Sequence, residues 1–216
     1  MKRNPAGNLT QKKTLNLACL IAGLALAAGL AGCRVHVDKG ANGEDKNVQV
    51  DTPFGGVHVN TDRTTAADLG LPVYPGAEPD KGDDEHKSAD VHVGFGEWEM
   101  RIRAVSYSTP DKRDDVVAFY KKALGRYGDV ITCDVNKPVG TPIATSEGLT
   151  CDDGAHVKTK VEAGGYHSDY SGFSLKAGSK HHQHIVGFES SKGGETGFAL
   201  VALDLPSGMD DSGKSD

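Results

Sequence analysis

The sequence predicts an α+β fold: a mostly antiparallel β-sheet packed against one main α-helix, with an N-terminal tether or β-hairpin. Three observations carry this. Short runs of alternating apolar and polar residues recur from Val35 to Leu205. Turn-rich stretches separate them, in a chain that holds 28 glycines. One stretch, after Thr109, places apolar residues at helical spacing over several turns. Strands in series around a single helix point to α+β architecture rather than to repeating β-α units.

Residues 1–32 read as a targeting segment, not as part of the fold. Lys2, Arg3, Lys12 and Lys13 make a basic start, and an apolar run follows from Leu15 to Leu30. The alternative is a retained transmembrane anchor. Spanning takes roughly 20 apolar residues, and Asn16 and several Gly and Ala weaken a run already at that limit.

Residues 33–65 are polar and Gly-rich. Val35-His36-Val37, Val48-Gln49-Val50 and Val57-His58-Val59 each alternate, and the last two flank the turn signal Thr52-Pro53-Phe54-Gly55-Gly56. The expectation is a tether over 34–46 and a hairpin over 47–61 that docks on the main domain or stays marginal, since isolated hairpins have little stability in water.

Residues 66–206 form the globular domain. Leu69 to Ala77 is a compact apolar turn segment, and a hydrophilic loop follows from Glu78 to Ala89. Val91–Val93 with Phe95, and then Trp98–Tyr107, suggest two strands, with Gly94 and Gly96 marking an irregularity between them. Met100, Ile102, Ala104 and Ser106 share one face of the second. Thr109 is the expected N-cap of the helix, Pro110 its first residue, and Asp111 suits the positive end of its dipole. Val116, Phe119, Tyr120, Ala123, Leu124 and Tyr127 make its core stripe, and Gly125 or Gly128 ends it. Strands are expected at 129–133, 148–152, 155–163, 171–176, 184–190 and 196–205, the last two paired across 191–195. A Pro- and Thr-containing loop spans 136–146, and 207–216 is a polar, disordered tail.

Leu30-Ala31-Gly32-Cys33 closely resembles the lipobox of bacterial lipoproteins. The resemblance implies cleavage before Cys33, lipidation of Cys33 with fatty acyl chains such as palmitate, and a place in the bacterial cell envelope. Arg34 follows the cysteine instead of the aspartate associated with inner-membrane retention. That implies the outer membrane, with the domain facing the periplasm or the exterior. Leu69 to Leu205 also resembles a small exported domain of bacterial lipoproteins with no established activity. That likeness rests on Val73-Tyr74-Pro75-Gly76-Ala77 and on Phe119-Tyr120-Lys121-Lys122-Ala123-Leu124.

Removing a leader with four basic residues leaves 20 basic against 30 acidic side chains, a formal charge of −10. Such a chain is unsuited to nucleic acid, whose binding rests on phosphate neutralisation, and to charge-driven adhesion to anionic lipid. The acyl chains must hold it to the membrane. With Cys19 in the leader and Cys33 lipidated, Cys133 and Cys151 remain, an even pair in an oxidising compartment. One disulfide is expected; a two-Cys metal site is the rival, without the C-x-x-C spacing of zinc sites.

His181-His182-Gln183-His184 is the densest ligand cluster. His182 and His184 fall on one side of a strand and are the candidate metal ligands. His36, His58 and His92, each between two valines, read as polar-face residues. Gly208 to Ser215 fits the phosphate-loop spacing, but Asp210 and Asp211 repel phosphate and no helix follows within the sequence. Asp38–Gln49 departs from a calcium loop at Gly40 and Gln49; Asp80 to Glu85 reads as a solvated acidic loop. None of G-x-S-x-G, S-x-x-K or H-E-x-x-H is present. The sequence therefore leads to no catalytic residue and no cofactor. The leading expectation is a lipid-anchored envelope protein with a non-catalytic structural, ligand-binding or partner-binding domain and an envelope protein as a possible partner. The alternatives are a metal-binding lipoprotein using His181–His184 and an envelope hydrolase with a dispersed active site.

Overall fold

A computed structural model describes residues 32–39, 45–61, 63–80, 88–153, 170–189 and 194–207. It is a mostly antiparallel sheet with one α-helix among the described residues, an α+β fold. The strands are β1 (Arg34–Lys39), β2 (Asp45–Thr52), β3 (Gly55–Thr61), β4 (Glu78–Pro79), β5 (Ser88–Phe95) and β6 (Trp98–Thr109). After the helix α1 (Arg113–Leu124) come β7 (Val130–Asp134), β8 (Lys137–Pro138), β9 (Tyr170–Gly178), β10 (His182–Glu189) and β11 (Thr196–Asp204). Their order in the sheet is β1-β2-β3-β5-β6-β11-β10-β9-β7-β8, and β4 pairs with the end of β6.

The main core lies between α1 and one face of the central strands. Val116, Tyr120 and Leu124 of α1 are fully buried. They face the layer that Tyr107, Val105, Phe198, Leu200, Phe188 and Val186 build from cross-strand pairs. The segment 66–77 closes this core. A one-turn 3-10 helix, Ala66–Leu69, ends at Gly70 in the left-handed conformation (φ 69°). Glycine is needed there twice over, because a Cβ would also lie 2.3 Å from the Tyr127 hydroxyl. Leu69, Leu71 and Tyr74 are buried in the same cluster. The opposite face carries a smaller cluster of Ile131, Cys133, Leu149 and Cys151.

The structure corrects several sequence expectations. Thr109 is not the N-cap; it pairs with Thr196 as the last residue of β6, its Oγ1 accepts the Asp111 N–H, and α1 starts three residues later with Lys112 as N-cap. Thr109 ends the strand, and a bend over Pro110 and Asp111 separates it from the extended N-cap Lys112. Phe119 is half-buried, and the adjacent Tyr120 takes the central position. Met100, Ile102, Ala104 and Ser106 do share a face, but the core beneath α1 is built from Val105 and Tyr107 on the other. Gly94 sits in a regular pair with Glu99, and the turn lies at Gly96 (φ 62°). Residues 148–152 make only isolated bridges, Ala144 with Thr150 and Gly148 with Ser179. The expected strand 155–163 and residues 208–216 lie outside the described residues, as does the leader through Ala31.

The N-terminal hairpin is joined to the domain: β3 pairs along its whole length with β5. Arg34–Lys39, within the expected tether, is a further strand, because its Val-His-Val alternation matches that of β2. The register aligns Val35, Val50, Val57, Val93 and Met100 in one row across five strands. The next row on the same face runs from Val37 to Ile102 by the same pairings. The other face of this wing carries His36, Gln49, His58, His92 and Arg101 in a matching row. This is the alternation of a half-solvated antiparallel sheet.

Candidate functional site

Two regions hold the candidate residues. At the first, Cys33 is exposed immediately before β1. Arg34 pairs with Asp51, so Cys33 stands at the sheet end that carries the β2–β3 turn. Gly32 lies close against Pro53 in that turn; a Cβ on Gly32 would come within 2.6 Å of the proline Cγ. No helix among the described residues is long and apolar enough to cross a membrane.

At the second, β6, β10 and β11 bring Arg103, His182, His184 and Asp204 onto the α1 side of the sheet. His182 Nδ1 lies 3.0 Å from Asp204 Oδ1, its cross-strand partner. Arg103 donates to Asp204 Oδ2 at 3.0 Å and to the Asp68 carbonyl. Burial pushes the Asp204 carboxyl up, but the hydrogen bonds and charges of His182 and Arg103 outweigh it and hold it below the usual carboxylate range. Asp68 is itself held low by hydrogen bonds from Thr65.

His184 has a different role from His182. Its ring is half-buried and stacks on Tyr127 with centroids 3.6 Å apart and planes 11° from parallel. Tyr127 in turn donates its hydroxyl to the Gly70 carbonyl at 2.7 Å, and Arg126 lies over its ring. The two histidines therefore share a face as expected, but one is tied to Asp204 and the other is packed as an aromatic surface. Among the described residues no group of three His, Cys, Asp or Glu side chains is placed to hold a metal ion. His182 and Asp204 make a base-and-carboxylate pair, yet no hydroxyl is bonded to the other ring nitrogen among the described residues. A depression of about 400 Å³ beside this cluster is lined by Ala67, Gly70, Leu71, Pro72, Ala123 and Arg126, with no nucleophile.

His184 gives a pH prediction. Burial lowers its pKa first of all, with Arg103 and Arg126 adding to this and Asp204 and the Leu69 backbone opposing it. A histidine that binds its proton less readily when folded costs stability as pH falls through the unfolded value of 6.5, and the loss is complete below its lowered folded value. Chemical denaturation at pH 8 and pH 5 should show a larger loss for the wild type than for His184→Phe, which keeps a ring against Tyr127. Equal losses in the two proteins would show that His184 titrates freely.

Cys133 and Cys151 form a disulfide, with Cα atoms 5.6 Å apart, that ties β7 to the loop beyond β8. Lys176, on the same face, is buried and donates to the carbonyls of Cys151 and Asp153, each at 2.9 Å. Burial pulls its pKa down, against the nearby Asp153 and Asp152. Sequence spacing gave no sign of this lysine, because Ser171 to Lys176 reads as an ordinary alternating strand. Comparison with protein-family models, curated proteins and solved structures gives no match for the chain.

Proposed function

We propose that this chain is a lipid-anchored protein of the bacterial cell envelope, cut before Cys33 and acylated there, whose α+β domain serves a structural or binding role without catalysis. The observation that carries the reading is Leu30-Ala31-Gly32-Cys33 at the end of a basic and then apolar leader. The exposure of Cys33 immediately ahead of β1 supports it, since an acylated residue must be free to reach lipid. More than one acyl chain gives stable anchoring. The disulfide suits an oxidising compartment, and Arg34 favours the outer membrane. The likeness of the Tyr74-Pro75-Gly76-Ala77 and Phe119–Leu124 motifs to exported lipoprotein domains adds to the reading. The envelope partner would be another protein, because the acidic chain does not suit nucleic acid.

Cys33→Ala is the test. The variant should keep its leader and lose the acyl mass, as read by intact mass spectrometry of protein extracted from its own membrane. Leader cleavage and acyl mass unchanged by the substitution would remove the anchored reading.

A further inference from the structure

Among the described residues, the wing formed by β1, β2, β3, β5 and the first half of β6 leaves an apolar face open. None of the ten residues in its two rows, from Val35 to Met100 and from Val37 to Ile102, is buried, and none is charged. Polar residues occupy the other face, so this one is built to meet something other than water. At one end it finishes in aromatic residues. Phe95 and Trp98 are cross-strand partners that continue the apolar face, 49% and 36% exposed, with rings 6.3 Å apart. Phe54, in the β2–β3 turn, is 83% exposed. The Gly96 N–H donates to the Phe54 carbonyl at 3.2 Å, which fastens the two turns together.

Cys33 stands at this same end. Strand alternation places it on the side of Val35 and Val37, next to the turn that bears Phe54. An open valine face, an aromatic end and the point where acyl chains would leave the protein are thus continuous. Tryptophan and other aromatics favour the membrane–water interface, where a ring meets apolar chains on one side and water on the other. We infer that the valine face and its aromatic end rest on the bilayer into which Cys33 is anchored. The inference builds on the anchored reading above and gives the domain a fixed attitude on the lipid surface. A second copy of the chain is the competing occupant.

Trp98 is the only tryptophan in the chain, so its emission reports on this face alone. The full-length protein, extracted in mild detergent, would be reconstituted into phosphatidylcholine vesicles with or without brominated acyl chains. Brominated lipid should reduce Trp98 emission roughly twofold, as expected for an indole at the interface. Val48→Glu, on the same face in the row farther from the turn, should abolish most of that quenching while the protein still sediments with vesicles. Vesicle-bound protein whose Trp98 is untouched by brominated lipid and fully open to iodide would overturn the inference and leave the anchor intact. Shielding of Trp98 that appears without lipid and grows with protein concentration would also overturn it, assigning the face to a second copy. A missing acyl mass on Cys33 is read independently and would count against the anchored reading itself.

Discussion

Tyr120→Ala should destabilise the domain by about 3–5 kcal/mol, the range for truncating a large buried aromatic. Phe119→Ala, one residue away, should cost roughly half as much. Tyr120 is fully buried and sits 5.4 Å from the Phe198 ring and 5.0 Å from Phe119. Its hydroxyl donates to the Pro72 carbonyl at 3.1 Å and accepts the Tyr74 N–H at 3.2 Å, which joins α1 to the 66–77 segment. Burial raises its pKa far above that of free tyrosine, so the hydroxyl stays protonated as donor throughout the stable range. Tyr120→Phe keeps the ring but leaves the buried Tyr74 N–H without its acceptor and the part-buried Pro72 carbonyl without its donor, an expected loss of about 1–3 kcal/mol. Urea denaturation of the three variants, with the slope checked for constancy, gives the ranking. A larger loss for Phe119→Ala than for Tyr120→Ala would mean that α1 presents a different face to the sheet.

This pair of neighbours marks how far the sequence could be read. The period of 3.6 from Val116 to Leu124 identifies a helix and its stripe, but Phe119 and Tyr120 both lie within that stripe. Only the position of the facing strands decides between them, and Tyr74 and Phe198 come from 46 and 78 residues away from Tyr120. The same limit explains the N-terminus of α1. Thr109-Pro110-Asp111 has the local chemistry of a helix start, yet Thr109 is claimed by β6 through its pairing with Thr196. Conversely, the Val-His-Val pieces were legible as strands, and the structure extends this to Arg34–Lys39. A polar, Gly-rich composition suggested a tether there, but matched alternation across β1, β2 and β3 aligns the valines, and each added strand satisfies the open edge of the previous one.

The candidate sites were legible unevenly, for a physical reason. Spacing of two on a strand correctly put His182 and His184 on one face. It could not show that Asp204 and Arg103 would arrive from β11 and β6 to engage His182, or that Tyr127 would cover His184. Pairing partners across a sheet are non-local, and their chemistry decides whether two imidazoles are ligands, ion-pair members or packing surfaces. The valine face shows the same rule at larger scale. Each three-residue piece reads as half of a small strand, whereas the continuous apolar surface exists only once five strands are in register.

Replacing both Cys133 and Cys151 with alanine should cost about 3 kcal/mol, since the bridge closes a loop of 18 residues and cross-linking restricts the unfolded chain by about that much. The loss should be felt mainly on the face opposite α1. There Leu149 and Ile131 pack beside the bridge, and the Thr145 hydroxyl holds the loop by donating to the Gly178 carbonyl at 2.8 Å and accepting the Leu149 N–H at 3.0 Å. Lys176 depends on the same loop, because its two carbonyl acceptors belong to Cys151 and Asp153. A loosened loop would leave a buried ammonium without partners, and water would have to enter to satisfy it. Amide exchange should therefore rise first around Leu149 and Lys176 in the double variant, while protection at Tyr120 and Phe198 persists up to global unfolding. Protein unfolded and refolded under reducing conditions should match the double variant in urea midpoint. A double variant with wild-type stability and unchanged exchange at Lys176 would show that the loop is held by Thr145 and Leu149 alone.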